Sequence, residues 1–403
     1  MPWYRSVGDV PHKRHTAHRA PDGRLYAEEL MGEEGFSAAS SLLYHREIPS
    51  AIVDSRDWPL PDVATEANHP LRPRHLRLHE LFAGEEWKSA DAVTGRRLLL
   101  GNADVRLTYV AAGEASPLFK DAVGDETLYV EGGTGRLETL LGGLEVGVGD
   151  LVVVPRGLTH RWVPTGDGPL RLYGIEAGAG HIQPPRRYRS EQGQFLESSP
   201  YCERDVRGVE GPLLVGGHDV EVHVRHRSSQ APGGLAGSVV THATHPFDVV
   251  GWDGALWPWA FNVGDFEPIT GRVHQPPPVH QVLEGAGFVV CVFVPRKVDY
   301  HPLSVPVPYY HSNVDSDEVM FYTGGDYEAR RGSGIALGSI SLHPGGHTHG
   351  PQPGAAEASI GREFFDETAV MVDTFRPLEI GEGGRAAEDP AYAWSWSGRG
   401  PAA

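Results

Sequence analysis

The chain has 403 residues and a net charge of −18 at neutral pH when histidine is counted as neutral. Such an acidic protein is a poor binder of nucleic acid and has little attraction to anionic lipid. Hydrophobic residues form 40% of the sequence, enough for a buried core, while glycine (51) and proline (33) together form about a fifth. Frequent turns therefore exclude a helical bundle, and the length predicts two or three domains or one duplicated fold.

Cysteine usage and hydropathy narrow the class of protein further. The two cysteines, Cys202 and Cys291, cannot make a disulfide framework or a cysteine-rich zinc site, although one bridge is compatible with them. The longest apolar stretch, near 287–295, is too short to span a bilayer, and the N-terminus has no apolar signal region. We therefore expect a cytoplasmic protein without a membrane partner. Its 21 histidines allow a metal site without cysteine ligands.

The first hundred residues show little regular patterning. They contain a basic arm at 12–19 and a proline-rich stretch at 59–73, and residues 26–31 are predicted to form one short helical piece. We interpret the arm as a solvated tail that could wrap a neighbouring subunit. From residue 381 the chain is rich in glycine, alanine and charge, which predicts a flexible surface tail.

Short apolar or alternating segments dominate the chain from residue 106 onward. Glycine, proline and aspartate bound them at short intervals, which is typical of the strands of a sandwich or barrel. The clearest segments are 106–110, 127–130, 151–154, 171–176, 220–225 and 288–294. The sequence therefore predicts an all-β fold.

An internal repeat is the most informative feature of the sequence. D-E-T-L-Y-V-E-G-G at 125–133 matches D-E-V-M-F-Y-T-G-G at 317–325. Downstream, P-R-G-L-T-H at 155–160 matches P-G-G-H-T-H at 344–349, at nearly the same offset. Two matching blocks in the same order indicate two copies of one β-domain.

Each copy resembles the paired motifs of the cupins, in which histidines and a glutamate precede a glycine, and a second block ends in histidine. The second copy supplies His311, Asn313 and Glu318, then His349. His311, Glu318 and His349 make a set of two imidazoles and one carboxylate, which leaves open positions on an octahedral metal and is typical of non-haem Fe(II) oxygenases. The same ligand types also suit zinc and manganese.

Alternative ligands exist within this copy. His347 could replace His349, but the repeat places His160 opposite His349. Asp315 or Asp317 could replace Glu318, but Glu126 stands at the position that matches Glu318. A cupin barrel without a metal is also compatible with the pattern.

The first copy keeps Glu126 and His160 but has Phe119 and Asp121 where His311 and Asn313 stand. We therefore predict that it binds no catalytic metal and is structural, with His160 as a hydrogen-bonded core or turn residue. The resemblance implies a bicupin. We predict an N-terminal β-rich domain at 1–262, with the degenerate copy at about 96–180, and a C-terminal cupin at 263–403 that carries the metal site.

The surroundings of the second copy resemble the homogentisate 1,2-dioxygenase family. The resemblance is carried by P-Y-Y-H-S-N at 308–313, G-G-D-Y-E-A-R at 324–330, G-S-I-S-L-H at 338–343 and H-G-P at 349–351. Weaker patches are L-Y-A-E-E-L at 25–30, L-L-Y-H-R at 42–46 and F-D-V-V-G-W-D-G at 247–254. It implies an Fe(II) enzyme that opens the homogentisate ring with O2 to give maleylacetoacetate, in tyrosine and phenylalanine breakdown.

The resemblance also implies roles for individual residues. His311, Glu318 and His349 would be iron ligands, and His274, in G-R-V-H-Q-P-P-P, would be the acid/base partner of the substrate hydroxyl. The residues predicted to lie around the substrate are Tyr327, Arg330, Asn313, His343 and His349, with Asn313 and His343 also orienting ligands and Arg330 pairing with the substrate carboxylate as a bidentate donor. A homo-oligomer, trimer or hexamer, is implied as well.

Three departures from the family pattern concern the substrate. The interval from His311 to Glu318 is one residue longer, Arg330 stands in place of lysine, and the loop after His343 resembles a plain cupin. A related hydroquinone carboxylate such as gentisate is therefore an alternative substrate. The pattern also allows a zinc-dependent cupin isomerase or a non-catalytic binding bicupin. The isomerase needs a basic phosphate site, and the binding bicupin needs an incomplete ligand set.

Overall fold

The computed structural model describes residues 3–61 and 63–400, and strands make up nearly all of its regular structure. The two α-helices are short, α1 (Ala355–Ser359) and α2 (Glu382–Ala386), and no helix in the described ranges is long and apolar enough to cross a membrane. The predicted all-β class is confirmed.

The strands that precede residue 263 are β1 (Arg5–Gly8), β2 (Ala27–Gly32), β3 (Ser40–His45), β4 (Ile52–Trp58), β5 (Thr65–Ala67), β6 (Arg74–Arg77), β7 (Arg97–Gly101), β8 (Val105–Ala112), β9 (Leu118–Asp121), β10 (Glu126–Gly132), β11 (Gly135–Thr139), β12 (Gly142–Val146), β13 (Asp150–Val154), β14 (His160–Pro164), β15 (Leu170–Ala177), β16 (Val206–Gly208), β17 (His218–Arg227), β18 (Leu235–Thr244), β19 (Val249–Gly254) and β20 (Trp259–Asn262). The later strands are β21 (Gln281–Gly285), β22 (Phe288–Phe293), β23 (Arg296–Lys297), β24 (Asp317–Gly325), β25 (Ser339–His343), β26 (Phe364–Phe365), β27 (Glu367–Thr374) and β28 (Glu379–Gly381).

Two sheets contain the first copy of the repeat. One has the order β16-β20-β13-β10-β15-β8-β7-β28-β5, and the other has the order β12-β11-β14-β9-β17-β18-β4. Their inner faces carry apolar side chains such as Trp162 and Leu172, both fully buried. Burial of this apolar surface is the main driving force for the barrel. A separate four-stranded sheet has the order β1-β19-β3-β2 and takes three of its strands from the N-terminal part of the chain.

The second copy is built on a six-stranded sheet with the order β21-β22-β27-β24-β25-β6. Because side chains alternate along a strand, β24 presents Glu318 to one face and Phe321 to the other. Phe321 packs against Tyr173 of the first copy with ring centroids 4.7 Å apart. The face that carries Glu318 is thereby directed away from the first copy and into its own barrel.

Strands are exchanged between the two copies. β6, from the N-terminal region, pairs with β25 in the sheet of the second copy, and β28, from the C-terminal region, pairs with β7 and β5 in the first. Each exchange covers a sheet edge that would otherwise expose unpaired backbone groups. The 262/263 boundary stays a prediction, and several strand pairings cross it.

Three segments differ from the expectations drawn from sequence. Residues 26–31, predicted to be helical, belong largely to β2, because pairing with β3 outweighs a weak helical preference. The basic arm lies on the chain's own four-stranded sheet, where Arg14 pairs with Asp253 at 2.6 Å. The segment after Gly381 is packed rather than extended along the surface, since it forms α2 and buries Tyr392.

A buried charge cluster within the four-stranded sheet predicts a pH dependence of stability. His45 Nδ1 lies 2.7 Å from Asp248 Oδ1, and Nε2 lies 3.0 Å from Glu29 Oε2. Burial alone would lower the pKa of His45, but the hydrogen bonds and charges of the two carboxylates raise it to about 9. Because the pKa of His45 is higher in the folded than in the unfolded protein, its protonated form stabilises the fold. This stabilisation is fully present below pH 6.5 and is lost as the pH rises through 9.

We therefore expect the free energy of unfolding to fall by about 3 kcal/mol between pH 6.5 and 9.5, from the difference between the two pKa values. Urea titrations at a series of pH values would measure it. The His45→Asn variant should be less stable at pH 6.5 and should lose most of this slope. An unchanged slope in the variant would show that His45 is not the group responsible.

Candidate metal centre and substrate cavity

Three predicted ligands converge at one end of the second barrel. Glu318 lies on β24, and the loops on either side of β24 and β25 bring His311 and His349 together. The two histidines exchange backbone hydrogen bonds of 2.8 and 2.9 Å. One ligand atom from each of the three side chains lies within 4.8 Å of the other two. The sequence spacing thus predicted a set of residues that the fold does bring together.

The orientation of the imidazoles fits a metal ion. Nδ1 of His311 lies 3.2 Å from the Tyr309 carbonyl, and Nδ1 of His349 lies 3.1 Å from the His347 carbonyl. Both rings therefore direct Nε2 toward Glu318. His349 Nε2 is buried 3.4 Å from Glu318 Oε1 but makes no hydrogen bond of good geometry, which is costly unless a cation binds there. The imidazole and carboxylate donors suit Fe(II), Mn or Zn.

The alternative ligands have other roles in the structure. His347 contributes its backbone carbonyl to His349, and its ring is not part of the cluster. Asp317 accepts backbone hydrogen bonds from Gly345 and Leu378, each at 2.7 Å, and so holds a turn. Asp315 is exposed.

His343 lies behind the ligands and orients them. Its Nδ1 is 3.1 Å from Glu318 Oε1, its Nε2 is 3.1 Å from the Tyr392 hydroxyl, and its ring stacks on His349 at 4.2 Å. Burial, with Arg330 nearby, lowers the pKa of His343 to about 3, so the ring is neutral. Nδ1–H then donates to Glu318, and Nε2 accepts from Tyr392. His343 is not among the residues that line the cavity, so the structure places it outside the predicted substrate-contacting set.

The electrostatics at Glu318 favour a carboxylate. Burial opposes ionisation, but the three imidazoles around it, those of His311, His343 and His349, hold the pKa of Glu318 well below its usual range. Asp373, which pairs with Glu318 in register on β27, has its pKa shifted in the opposite direction. Burial and the neighbouring Glu318 charge raise the pKa of Asp373 to about 8. Asp373 Oδ1 has no hydrogen-bond partner, and no sequence motif indicated this residue.

A cavity of about 340 Å³ opens in front of the ligand cluster. Its lining includes Glu318 and His311, and four of the other predicted site residues: His274, Asn313, Tyr327 and Arg330. His349 lies behind this surface. The Asn313 side chain makes no hydrogen bond to a described residue, so the proposed orienting contact with a ligand is not formed. The volume is suited to one small aromatic molecule.

The three remaining predicted contacts are held differently. His274 Nδ1 is 3.5 Å from Asp299 Oδ2, which leaves Nε2 for the cavity. The Tyr327 hydroxyl is buried without a partner. Arg330 donates from Nε to the Tyr322 hydroxyl at 3.0 Å and from Nη1 to the Gly350 carbonyl, and it lies over the Trp396 ring. Of the three guanidinium nitrogens of Arg330, only Nη2 makes no hydrogen bond to a described residue. This leaves one wholly free nitrogen for a ligand in the cavity, and not the bidentate pair that was predicted.

The first copy shows what replaces a metal. Phe119 and His160 are paired in register, as His311 and His349 are in the second copy. Arg96 and Arg225 donate to Glu126 at 2.9 and 3.0 Å, so guanidinium groups occupy the space beside the remaining carboxylate. Both guanidinium groups also lie over the Phe119 ring at 5.7 Å. This arrangement supports the prediction that the first copy is structural.

Comparison with known proteins also distinguishes the first copy of the repeat from the second. Residues 106–176 match the family described as Cupin domain, and residues 272–399 match Homogentisate 1,2-dioxygenase C-terminal. A protein of Saccharolobus solfataricus named "Putative dioxygenase" is 38% identical over 98% of this chain and 99% of its own. The homogentisate 1,2-dioxygenase of Emericella nidulans is 28% identical over 94% of this chain and 84% of its own. That of Rhodopseudomonas palustris is 27% identical over 97% of this chain and 90% of its own.

The chain belongs to the homogentisate 1,2-dioxygenase family. It is therefore a bicupin and a ring-cleaving dioxygenase, in a family that is metal-dependent and acts on small aromatic molecules with O2. The resemblance inferred from the second copy is confirmed.

Some residues of this family member's site were not found from sequence. Tyr392 and Trp396 come from the segment predicted to be a tail, yet Tyr392 contacts His343 and the Trp396 indole donates to the Pro351 carbonyl at 3.1 Å. The aromatic W-S-W sequence at 394–396, unusual in a Gly- and Ala-rich tail, was the available signal. Asp373 and His280 also line the cavity, and no repeat position indicates either one.

Proposed function

We propose that this enzyme is an Fe(II)-dependent homogentisate 1,2-dioxygenase that converts homogentisate and O2 to maleylacetoacetate in tyrosine and phenylalanine catabolism. The observation that supports it most strongly is the convergence of His311, Glu318 and His349 at a cavity of single-ring size, in a chain whose C-terminal part matches this family. We also propose a homo-oligomer, trimer or hexamer, which light scattering of the purified protein would measure.

His311, Glu318 and His349 would hold the ferrous ion, which when bound supplies a Lewis acid for the substrate oxygens and a path for electrons to O2. The protein's share of the chemistry is positioning and proton transfer. Arg330 Nη2 would donate to the substrate carboxylate, and the Tyr327 hydroxyl would donate to a second oxygen. Because Arg330 is fixed by Tyr322, Gly350 and Trp396, little side-chain entropy is lost on binding.

Proton transfer would be carried out by His274. With Asp299 beside Nδ1, Nε2 is the nitrogen that can accept the ring hydroxyl proton and later return it to the product. The apolar part of the cavity, including Met320, Phe293 and Met371, limits the access of water to the ring during the reaction.

The His274→Ala variant is expected to keep its iron but to lose rate, by about 10²–10⁴-fold in kcat, as for a lost acid/base group. Oxygen uptake and iron content, measured on the same preparation, would check this. His301→Ala is the matched control, because His301 lies in the same region and does not line the cavity. An unchanged rate in His274→Ala would exclude the role.

Reconstitution tests the function itself. The purified chain is loaded with Fe(II) without air, and homogentisate, gentisate or buffer is then added with O2, while oxygen uptake and product absorbance are recorded. Uptake of one O2 per homogentisate with the absorbance of maleylacetoacetate supports the proposal. Turnover of gentisate but not of homogentisate would identify gentisate as the substrate. Oxygen-independent turnover with zinc would indicate an isomerase.

A further inference from the structure

One polar side chain in the cavity has no partner and no part in the proposed chemistry. His280 is 7% exposed and lines the cavity, and its Nδ1 is buried without a hydrogen-bond partner. Its Nε2 makes no hydrogen bond to a described residue either. The ring is held instead by tilted packing against Phe293, with ring centroids 4.5 Å apart. A buried imidazole with both nitrogens unpaired is costly, so a polar ligand group is expected to satisfy it.

The sheet places His280 at the opposite end of the cavity from the metal ligands. Phe293, Ala369 and Tyr322 are neighbours in one row across three strands, and Glu318 lies four residues before Tyr322 on β24. Phe293 is therefore separated from Glu318 by two strand spacings, about 10 Å, and by about 13 Å along the strand. His280, packed against Phe293, would lie near the edge of a substrate ring that is farthest from the metal.

We propose that His280 determines substrate specificity by hydrogen-bonding, through its unpaired imidazole, a hydroxyl on the substrate ring remote from the group bound at the metal. The inference rests on the proposed function, since the substrate's orientation follows from binding at the ferrous site. It assigns the substrate class as an aromatic acid with a second, distant hydroxyl, a hydroquinone. It also separates His280 from His274, whose role is proton transfer.

The surroundings favour a neutral hydrogen-bonding imidazole over a charged one. Burial, followed by the charges of Arg296 and His274, lowers the pKa of His280 to about 3. Arg296 is itself paired with Glu367 at 2.7 Å. Phe293, Pro277 and Val298 supply apolar surface around the ring, where an unpaired polar group on either side would be penalised. A ligand without the distant hydroxyl leaves the imidazole unsatisfied.

Binding of two ligands that differ by this hydroxyl tests the proposal. Homogentisate and 2-hydroxyphenylacetate are titrated without air into the Fe(II)-loaded wild type, His280→Phe, His280→Asn and, as a matched control, the exposed His12→Phe. We expect wild type and His12→Phe to prefer homogentisate, and His280→Phe to lose about tenfold of the preference, which corresponds to one hydrogen bond. His280→Asn should restore part of it, and iron content should be the same in all.

An unchanged ratio of the two dissociation constants in His280→Phe, with normal iron content, would overturn the proposal and leave the proposed function standing. If reconstitution identifies gentisate as the substrate, the ligand pair becomes gentisate and salicylate, with the same expected loss. Absence of oxygen uptake with every hydroquinone acid would overturn the proposed function and this inference together. His280→Phe keeps an aromatic ring against Phe293, so its packing is conserved.

Discussion

The His349→Ala variant is expected to lose most of its bound iron and nearly all turnover. Removing one of three protein ligands leaves His311 and Glu318, which are too few to hold a metal in competition with water. The loss of affinity should exceed the roughly 10–100-fold that follows changes behind the ligands. Metal analysis of the purified variant and oxygen uptake with homogentisate would measure both quantities.

His347→Ala is the matched control for this experiment. It removes a histidine two residues away whose ring is outside the cluster, and it keeps the backbone carbonyl that orients His349. This variant should keep iron and activity near those of the wild type. Full iron content and normal turnover in His349→Ala would remove His349 from the site, and the same loss in both variants would indicate a general effect on the loop.

The Arg225→Ala variant is expected to lose about 3–5 kcal/mol of stability, the usual cost of breaking a buried ion pair from one side. Arg225 donates to Asp121 at 2.5 Å, to Glu126 at 3.0 Å and to Glu176 at 2.6 Å, all in the interior of the first copy. Its removal leaves these carboxylates with only part of their compensating charge. Urea-induced unfolding, followed by tryptophan fluorescence, would measure the change.

Arg56→Ala provides the comparison for a surface pair. Arg56 and Glu221 are 2.8 Å apart, but both side chains are about half exposed, so the loss should be about 1 kcal/mol or less. Iron per folded molecule should be unchanged in Arg225→Ala, because the proposed ferrous site is in the other copy. Equal stability of Arg225→Ala and wild type would contradict the assignment of the arginines as replacements for a metal.

The repeat explains why so much of the candidate metal site could be predicted. Glu126 and Glu318 occupy matching strands, and the Phe119–His160 pair matches the His311–His349 pair, so the alignment of two short blocks was enough to select ligands. Glycine and proline between the blocks form turns that any barrel of this kind requires. A ligand set depends on few residues at fixed spacing, which a sequence displays directly.

Residues outside the repeat could not be selected in this way. Asp373 lies on β27 and His280 lies just before β21, both outside the repeated motifs. They reach the cavity because the sheet order places β27 beside β24 and brings β21 into the same sheet. Arg96 and Arg225 are distant in the sequence and meet at Glu126 through long-range strand pairing. A single sequence contains no local pattern for such contacts.

The amino-acid sequence by itself determined the all-β class, the duplication and the choice of His311, Glu318 and His349 as candidate ligands, because these follow from local periodicity, turn residues and motif spacing. Tertiary structure alone decided the exchange of β6 and β28, the packing of Tyr392 against His343, the arginine pair in the first copy and the unpaired His280. The physical reason is that each of these depends on which distant segments bury surface against one another, and that choice is made by the free energy of the whole fold.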